Sequence, residues 1–301
     1  MATKENSWLA FLTLLGAVIL WGGNWVAVRY AVQEMSPLIV VTIRTVLSAI
    51  ILLLALRVTG GKQPVLRDLR VFALLGLVGI FGFNLMQFVG LKYTTAINGS
   101  LINAATPILT VVLSRLLLGE RLRPLQLLGV VISFVGVVWV ATDGSWAVLS
   151  SLKFNTGDLM IFLAAACWSI YTIYGRKPTL KYSSLAVTAY ASLFAAVYFI
   201  PLGLNQYRLQ PVSALSWAGI IAIGYSVLVG VFALVAWLKG VSIVGPSRAS
   251  IYMNLLPLFT LVLASLLLGE QITLNHLAGG FFVLGGVYLT TSPRFVVKPA
   301  T

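Results

Sequence analysis

Ten runs of about 20 residues each are almost entirely apolar, and this pattern constrains the fold more than any other feature of the chain. An apolar helix of about 20 residues crosses the roughly 30 Å hydrocarbon core of a bilayer. Such a helix satisfies its own backbone hydrogen bonds, as a membrane segment must. The sequence therefore predicts an all-α integral membrane protein with ten transmembrane helices. The runs cover approximately residues 9–32, 36–57, 70–91, 95–118, 122–141, 157–175, 183–205, 214–239, 246–268 and 272–291.

Composition agrees with this class and excludes several others. Of the 301 residues, 59% are hydrophobic and 9% are charged, whereas soluble domains carry about 25% charged residues. A single Cys and a single His, His276, exclude a disulfide framework and a metal site built from several Cys or His ligands. The net charge of +13 does not indicate a nucleic-acid partner, because no basic stretch is dense enough to follow phosphates. We expect no metal and no cofactor, and we expect a lipid bilayer and a small-molecule substrate as partners.

The distribution of positive charge predicts the orientation in the membrane. With the N-terminus in the cytoplasm, 15 of the 20 Lys and Arg residues fall on the cytoplasmic side and four fall outside. The remaining cation, Arg44, lies within the second run. Cytoplasmic loops of membrane proteins carry an excess of Lys and Arg. We therefore predict a multi-pass protein of the cell inner (plasma) membrane with both termini in the cytoplasm.

The chain contains an internal repeat. When it is shifted by 150 residues, residues 90–138 align with 240–288 without a gap, and 15 of the 49 pairs are identical. The matched residues include Pro107 and Pro257, and the Leu-Leu-Leu-Gly-Glu runs at 116–120 and 266–270. Low-complexity apolar helices match by chance at Leu, so the matched Pro, Gly and Glu are the informative pairs. The pattern predicts two repeats in one membrane domain, residues 1–146 and 147–301.

An odd number of helices in each repeat has a topological consequence. With five helices per repeat, the second repeat enters the membrane upside down relative to the first, which is an inverted-topology repeat. The loop charges agree with this inversion. Arg121 and Arg123 follow the shared Gly-Glu in the first repeat, where the loop is predicted inside, and uncharged residues follow it in the second repeat.

Several short motifs resemble the EamA-type members of the drug/metabolite transporter superfamily, over residues 9–291. They are Gly-Leu-Lys-Tyr-Thr at 90–94, Leu-Trp-Gly-Gly-Asn-Trp-Val at 20–26, Pro107 and Pro257, and the doubled Leu-Leu-Leu-Gly-Glu. The resemblance implies ten helices, cytoplasmic termini and a central cavity lined by spans 1, 3, 4, 6, 8 and 9. It also implies export of metabolites, and the YddG-like amino-acid exporters are a subgroup that fits. These motifs indicate the superfamily and do not name a substrate.

Polar and aromatic side chains recur on the spans that the resemblance assigns to the cavity. Intramembrane polar groups are costly unless they face other helices or water, so these residues either line the substrate cavity or hold helices together. Trp and Tyr otherwise gather at the membrane interfaces, where we expect Trp8, Trp139, Trp146 and Trp217. The candidate substrate-binding residues are Trp21, Asn24, Asn84, Gln87, Ser100, Asn103, Trp168, Tyr171, Tyr225, Ser250, Tyr252 and Asn254.

Pro107 and Pro257 lie near the middle of spans four and nine. Each removes a backbone N–H and frees the carbonyl four residues earlier, at Asn103 and at Met253. A freed carbonyl in hydrocarbon must find a partner or line a wet cavity. The two prolines are therefore candidate conformational hinges beside the substrate site, and static kinks are the alternative.

Three charged residues lie inside a span or at the end of one. Arg44 lies about eight residues inside span two, where a cation normally faces a partner or water. Because the resemblance keeps span two away from the cavity, we expect a structural role for Arg44, with attraction of a substrate carboxylate as the alternative. Glu120 and Glu270 follow a Gly at a helix end and are expected to form turns, since negative charge suits the N-terminus of the following helix.

The leading functional prediction is a transporter that exports small metabolites, above all neutral or aromatic amino acids, by alternating access. A nucleotide-sugar or organophosphate carrier is the alternative, and it would need several cavity cations to hold phosphates. An intramembrane hydrolase would need a nucleophile with its base, or a carboxylate pair, at membrane depth. The chain has no Asp or Glu in the middle of a span, so we expect no enzyme. The same fact favours facilitated diffusion over proton coupling, and the oligomeric state stays open.

Overall fold

The computed structural model describes residues 4–118, 124–146, 155–211, 215–244, 249 and 251–291, which are helical apart from short connections and contain no strand. Two shorter apolar helices cover Val131–Val140 and Leu256–Leu268. The prediction of an all-α fold is thus confirmed for the described residues. Six helices in this part of the chain are long and apolar enough to cross a membrane, namely Trp8–Glu34, Pro37–Val58, Leu66–Tyr93, Thr156–Thr179, Ser184–Leu209 and Trp217–Ile243.

Helical residues lie within every apolar run. In the first half the α-helices are α1 Lys4–Glu34, α2 Pro37–Val58, α3 Leu69–Leu75, α4 Phe83–Tyr93, α5 Ala96–Asn103, α6 Thr106–Leu118 and α7 Pro124–Ala141. In the second half they are α8 Thr156–Thr179, α9 Ser184–Leu209, α10 Trp217–Val244, α11 Leu256–Leu268 and α12 Leu274–Thr291. A 3₁₀ turn at Leu66–Asp68 precedes α3, and a second one at Ile251–Leu255 precedes α11.

Local sequence explains several of these helix ends. Proline stands at the first position of α2, where its missing N–H has no partner to lose. Gly269 ends α11 with φ of 67°, the left-handed conformation that glycine adopts without a steric penalty. Side chains cap several helix N-termini; for example, Thr95 accepts from the Asn98 N–H at 3.0 Å, Asn155 from Gly157 at 2.7 Å and Ser183 from Ala186 at 3.1 Å.

The two matched prolines stand at the same place in two broken spans. Pro107 is the second residue of α6, and Pro257 is the second residue of α11. The span before Pro107 breaks between α5 and α6, and the Thr106 hydroxyl donates a hydrogen bond of 2.5 Å to the Asn103 carbonyl. The carbonyl that Pro107 frees is therefore satisfied by a side chain. The breaks agree with the sequence, and their action as hinges remains a prediction.

The third span contains an irregular turn that the sequence analysis did not predict. A π-helical turn at Gly76–Gly82 joins α3 to α4, and such turns often occur at functional sites. The Asn84 amide donates a hydrogen bond of 2.6 Å to the Ile80 carbonyl within this turn. Gly79 lies against the ring of Tyr171, and a Cβ at this position would overlap that ring. The glycine thus lets α8 approach the wide turn closely.

Helices of the first half pack mainly against helices of the second half. The most extensive contacts join α1 to α10, α7 to α12, α2 to α9 and α4 to α8. Small residues allow the closest approach between α7 and α12, because a Cβ at Gly136 or Gly286 would overlap the backbone of the partner helix. Small residues at the contact are typical of helix packing in membranes.

Candidate substrate cavity

A cavity of about 50 Å³ lies between helices of the two halves. A volume of about 10–15 Å³ holds one water molecule, so in this shape the cavity has room for a few waters. Its wall is largely apolar, with amides and one cation set into it. The lining residues are Trp21, Asn24, Trp25, Arg44, Thr45, Ser48, Gly79, Ile80, Phe83, Asn84, Gln87, Asn103, Trp168, Ser192, Gly230, Leu234, Met253 and Leu256.

The structure brings six of the twelve candidate residues together on this wall, namely Trp21, Asn24, Asn84, Gln87, Asn103 and Trp168. Four others, Ser100, Tyr171, Tyr225 and Tyr252, are not part of the lining. Ser250 and the side chain of Asn254 lie outside the described residues. Neither Pro107 nor Pro257 lines the cavity, although Asn103 and Leu256, close to them in sequence, do.

Tyr171 and Ser100 are buried behind the wall. The Tyr171 ring packs on the Trp168 indole with ring centroids 5.3 Å apart, and its hydroxyl has no hydrogen-bond partner among the described residues. Ser100 donates a hydrogen bond of 2.9 Å to the Ile97 carbonyl in its own helix. Tyr171 therefore supports a cavity residue, and the Ser100 hydroxyl is buried and bonded within its own helix.

Tyr225 and Tyr252 make contacts between helices. The Tyr225 hydroxyl donates a hydrogen bond of 2.9 Å to the Leu20 carbonyl, which joins α10 to α1. The Tyr252 ring packs on Phe11 with ring centroids 6.1 Å apart. These contacts correspond to the alternative that the sequence left open, in which polar aromatic residues hold helices together.

Aromatic rings form one part of the cavity wall. The indoles of Trp21 and Trp168 meet edge to face with centroids 5.4 Å apart, and Phe83 lies 5.1 Å from Trp168. Trp237 packs behind Trp21 at 5.3 Å. Large flat rings provide apolar contact area with few rotatable bonds. This part of the wall is suited to an apolar or aromatic portion of a substrate.

A free hydrogen-bond acceptor lies on the same wall. Asn24 is 3% exposed, and its Oδ1 has no hydrogen-bond partner among the described residues. Buried side-chain polar atoms are nearly always satisfied, and an unsatisfied one requires an explanation such as a missing water or ligand. Asn24 therefore keeps an unsatisfied acceptor on a residue that lines the cavity.

The expectation that span two stays away from the cavity is wrong. Arg44, Thr45 and Ser48 of α2 all line it. The physical reason is the close approach of α2 to α10, where the Ser48 hydroxyl donates to the Val227 carbonyl at 3.0 Å and a Cβ at Gly230 would overlap Ser48. This contact brings α2 to the cavity. A contact between two helices cannot be inferred from the apolar periodicity of either helix alone.

Arg44 is the residue that sequence reasoning placed in a structural role. Its side chain is held by neutral groups: Nη1 donates to the Asn84 Oδ1 at 2.7 Å and Nε donates to the Ser226 carbonyl at 3.3 Å. The guanidinium also lies over the Phe88 ring, 5.6 Å from the centroid. The position of Arg44 inside an apolar run is the sequence feature that indicates its importance.

Glu270 caps a helix of the other half. Its carboxylate accepts hydrogen bonds from the Ala96 N–H at 2.9 Å and the Ile97 N–H at 3.0 Å, at the start of α5. The expectation that Glu270 serves the helix that follows it is therefore wrong. The carboxylate instead meets the positive end of a helix about 170 residues earlier in the chain. Glu120 lies outside the described residues.

Other polar contacts tie the same end of the bundle together. Arg29 Nη1 donates to the Leu91 carbonyl at 2.7 Å, and the His276 ring shares a hydrogen bond of 2.9 Å with the Asn98 side chain. With Glu270, these residues connect α1, α4, α5 and the α11–α12 turn. Glu270 and His276 thus join the second half to α5 of the first half at this end of the bundle.

At the opposite end, Lys181 and Asp68 form the single ion pair of the described residues, with 2.5 Å between Nζ and Oδ2. The Asp68 carboxylate raises the pKa of Lys181 through this hydrogen bond. Both side chains are solvent-accessible, so the pair contributes little to stability. It nevertheless joins the start of α3 to the loop after α8.

Comparison with known sequences identifies the family to which the chain belongs. The model of the EamA-like transporter family matches residues 8–142 and again residues 155–292. The chain belongs to the EamA-like transporter family. A Bacillus subtilis protein named "Uncharacterized transporter YyaM" is 34% identical over 289 residues, which cover 94% of this chain and 93% of the relative.

Two further relatives and one solved structure are also similar to this chain. An uncharacterized transporter of Archaeoglobus fulgidus is 32% identical and covers 94% of this chain and 97% of its own length. The Escherichia coli K12 protein named "Uncharacterized inner membrane transporter YedA" is 28% identical, over 96% of this chain and 93% of the relative. A solved structure described as a "Crystal structure of protein" shares the fold at a TM-score of 0.65 with 19% identity, over 94% of this chain and 98% of that one.

The family assignment decides several questions about this EamA protein. It is a multi-pass membrane transporter, and the family and the names of its relatives indicate transport rather than enzymatic activity. A transporter of this family sits in a lipid bilayer and binds small-molecule substrates. The cavity between the two halves is the candidate site for such a substrate.

Proposed function

We propose that this EamA protein exports small neutral amino acids, aromatic ones among them, across the plasma membrane by alternating access. The single observation that carries this proposal is the cavity between the two halves, in which aromatic rings, amides and one Arg line a common space. Secondary transporters bind their substrates at such an interface between repeats, near the middle of the membrane.

The proposal includes ten membrane spans in two inverted five-helix repeats, residues 1–146 and 147–301, with both termini in the cytoplasm. The family model matches once in each half. Helix contacts are also related by exchange of the halves: α1 with α10 corresponds to α8 with α4, and α1 with α11 corresponds to α8 with α6. The contacts of α2 with α9 and of α7 with α12 join equivalent helices. These relations support a repeat with an approximate two-fold axis.

Alternating access requires the two halves to move relative to each other around the site. The breaks before Pro107 and Pro257 provide points at which spans four and nine can bend. The Glu270 contact with α5 joins the two halves at one end of the bundle, and such a contact must change when the halves move. With room for a few waters, the present cavity must widen before a substrate of amino-acid size enters it.

The composition of the wall favours amino acids over phosphorylated substrates. Trp21, Trp168 and Phe83 present apolar surface, and Asn24 presents a free acceptor. A nucleotide-sugar or organophosphate carrier would need several cations around its phosphates. Within the described part of the chain, Arg44 is the one Lys or Arg on the wall.

The proposal is tested by counterflow in proteoliposomes that contain the purified full-length protein. Vesicles loaded with unlabelled phenylalanine, tryptophan or leucine should accumulate the same labelled amino acid transiently, while vesicles loaded with UDP-glucose should not accumulate labelled UDP-glucose. Efflux from preloaded cells that produce the protein would then establish the direction. Counterflow of the nucleotide sugar, without counterflow of any amino acid, would replace the proposal with the carrier alternative.

A further inference from the structure

Arg44 is a buried cation without an anionic partner among the described residues. Its side chain is 9% exposed, and the residues that line the cavity include no Asp or Glu. The ion pair of the described residues is formed elsewhere, by Lys181 and Asp68. A buried charge is costly unless it is paired and hydrogen-bonded. Among the described residues, no negative charge compensates this positive charge beside the cavity.

Neutral groups orient this guanidinium without neutralising it. Asn84 accepts from Nη1 at 2.7 Å, and the Asn84 amide is itself fixed to the Ile80 carbonyl of the π-helical turn. The Ser226 carbonyl accepts from Nε at 3.3 Å. Within the described residues no hydrogen bond reaches Nη2, although a guanidinium carries five N–H donors. The group is held in place with donors left over on the cavity side.

A second unsatisfied group belongs to a residue of the same wall. Asn24 lines the cavity, is buried, and has an Oδ1 without a partner among the described residues. Arg44 offers N–H donors and a positive charge, whereas Asn24 offers an acceptor. A ligand that satisfies both carries an anionic oxygen pair and a hydrogen-bond donor, such as an N–H or O–H group. The Trp21 and Trp168 rings leave apolar surface for the rest of the ligand.

We propose that Arg44 binds the carboxylate of the transported molecule and that Asn24 accepts a hydrogen bond from its amino group. This inference rests on the proposed function and narrows it to substrates with a carboxylate, of which α-amino acids satisfy both groups. A guanidinium matches a carboxylate in shape and can bind it through two parallel hydrogen bonds. Amines that lack a carboxylate are excluded by the positive charge of Arg44.

The experiment measures binding and transport separately on the purified full-length protein. The probe compounds are phenylalanine, 3-phenylpropionate, which lacks the amino group, and phenethylamine, which lacks the carboxylate. Thermal stabilisation reports binding, and proteoliposome counterflow reports transport. The variants are Arg44→Gln, Arg44→Lys and Asn24→Leu, and Arg57→Gln on the exposed end of the same helix is the matched control.

We expect phenylalanine and 3-phenylpropionate to stabilise the wild-type protein and phenethylamine to have no effect. Arg44→Gln should weaken the binding of both carboxylate compounds by about 30-fold or more, as expected for loss of one partner of a buried charge pair. Arg44→Lys should recover part of the affinity, because Lys restores the charge without the planar fork. Asn24→Leu should weaken the binding of phenylalanine and leave the binding of 3-phenylpropionate unchanged. Arg57→Gln should bind both compounds as the wild-type protein does.

The Tm without ligand distinguishes this role from a structural one. Arg44→Gln removes a buried unpaired charge and keeps a donor for Asn84, so its Tm should be no lower than that of the wild-type protein. A structural Arg44 would give a lower Tm with unchanged carboxylate affinity, and this would overturn the inference. Counterflow of amino acids that is undiminished in Arg44→Gln would also overturn it and leave the proposed function intact. Binding of carboxylates without any counterflow would support the inference and contradict the proposed function. Failure of every carboxylate to stabilise the wild-type protein would overturn the inference.

Discussion

The indoles of Trp21 and Trp168 touch edge to face, at 5.4 Å between centroids and 84° between planes, although they stand 147 residues apart in the chain. They occupy matching places near the starts of the two proposed repeats. Their contact therefore falls where the two halves meet, on the wall of the cavity. A relative movement of the halves must change this contact.

The first prediction concerns this aromatic pair. Trp168→Ala should raise the KM for tryptophan or phenylalanine about tenfold, because an aromatic pair contributes about 0.5–1.5 kcal/mol beyond the area it buries. Trp217→Ala is the control, since Trp217 is 80% exposed. Counterflow kinetics at equal amounts of reconstituted protein provide the measurement. A larger effect at Trp217 than at Trp168 would mean that the substrate site lies elsewhere.

The second prediction concerns the close contact of the π-helical turn with α8. Gly79→Ala should lower the free energy of unfolding by about 1–3 kcal/mol, because the added methyl group would overlap the Tyr171 ring. Gly16→Ala in α1 is the matched control, because nothing lies within 4 Å of a Cβ there. That variant should be neutral or stabilising, by up to about 1 kcal/mol. Thermal unfolding in detergent measures both, and equal Tm values would contradict the prediction.

The third prediction concerns the contact between Glu270 and the start of α5, which we expect to hold the cavity closed at one end. Glu270→Gln should weaken the contact with the α5 N-terminus by about 1 kcal/mol, since it removes a negative charge from the positive end of a helix. In a Cys167→Ser background, a cysteine at Thr45 should then react about fivefold faster with an impermeant thiol reagent applied to whole cells. Gln271→Ala is the control, because Gln271 is the exposed residue next to Glu270. An unchanged reaction rate in Glu270→Gln would show that this contact does not hold the cavity closed.

The fourth prediction concerns topology. Single cysteines replacing Lys298 and Gln271, in a Cys167→Ser background, should differ in their reaction with an impermeant thiol reagent on intact cells. Gln271 should react and Lys298 should react only after the membrane is permeabilised, because the turn at 269–271 is proposed to lie outside and the C-terminus inside. Equal reaction at both positions on intact cells would rule out the inverted repeat.

The fifth prediction concerns energy coupling. Proton-driven transporters commonly use a membrane-embedded carboxylate or His, and the acidic residues here fall in tails, loops or helix ends. Asp158, the third residue of α8, is buried, and the Thr94 hydroxyl donates a hydrogen bond to its carboxylate near a helix end. Counterflow should therefore proceed without a pH gradient or voltage, and it should persist in Asp158→Asn. Obligatory proton movement with each substrate molecule would contradict facilitated diffusion.

Much of the architecture follows from apolar runs and their interruptions. The ends of α2, α8 and α9 lie within a few residues of the predicted limits, because length and hydropathy determine which segments a bilayer accepts. Pro107 and Pro257 likewise indicated where spans four and nine break, since proline cannot donate the hydrogen bond that continues a helix.

The composition of the cavity was harder to predict. Trp21, Asn84 and Trp168 were found because polar and aromatic residues within a span are unusual. Tyr225 carries the same signal and instead bonds to the Leu20 carbonyl, so the signal does not distinguish a cavity from a helix contact. Arg44 was assigned a structural role because the path of α2 toward the cavity depends on helix packing, which periodicity along one helix does not contain.

Because of the π-helical turn at Gly76–Gly82, the set of residues that line the cavity is sensitive to insertions and deletions. Such a turn holds one residue more than the α-helical turn it replaces, and one residue corresponds to about 100° of rotation around a helix. Deletion of a single residue within the turn would therefore rotate all of α4 and withdraw Asn84 and Gln87 from the wall together. The side chains that meet a substrate here depend on chain length as well as on residue identity, so an insertion or deletion of one residue could change specificity where a point substitution would exchange only one contact.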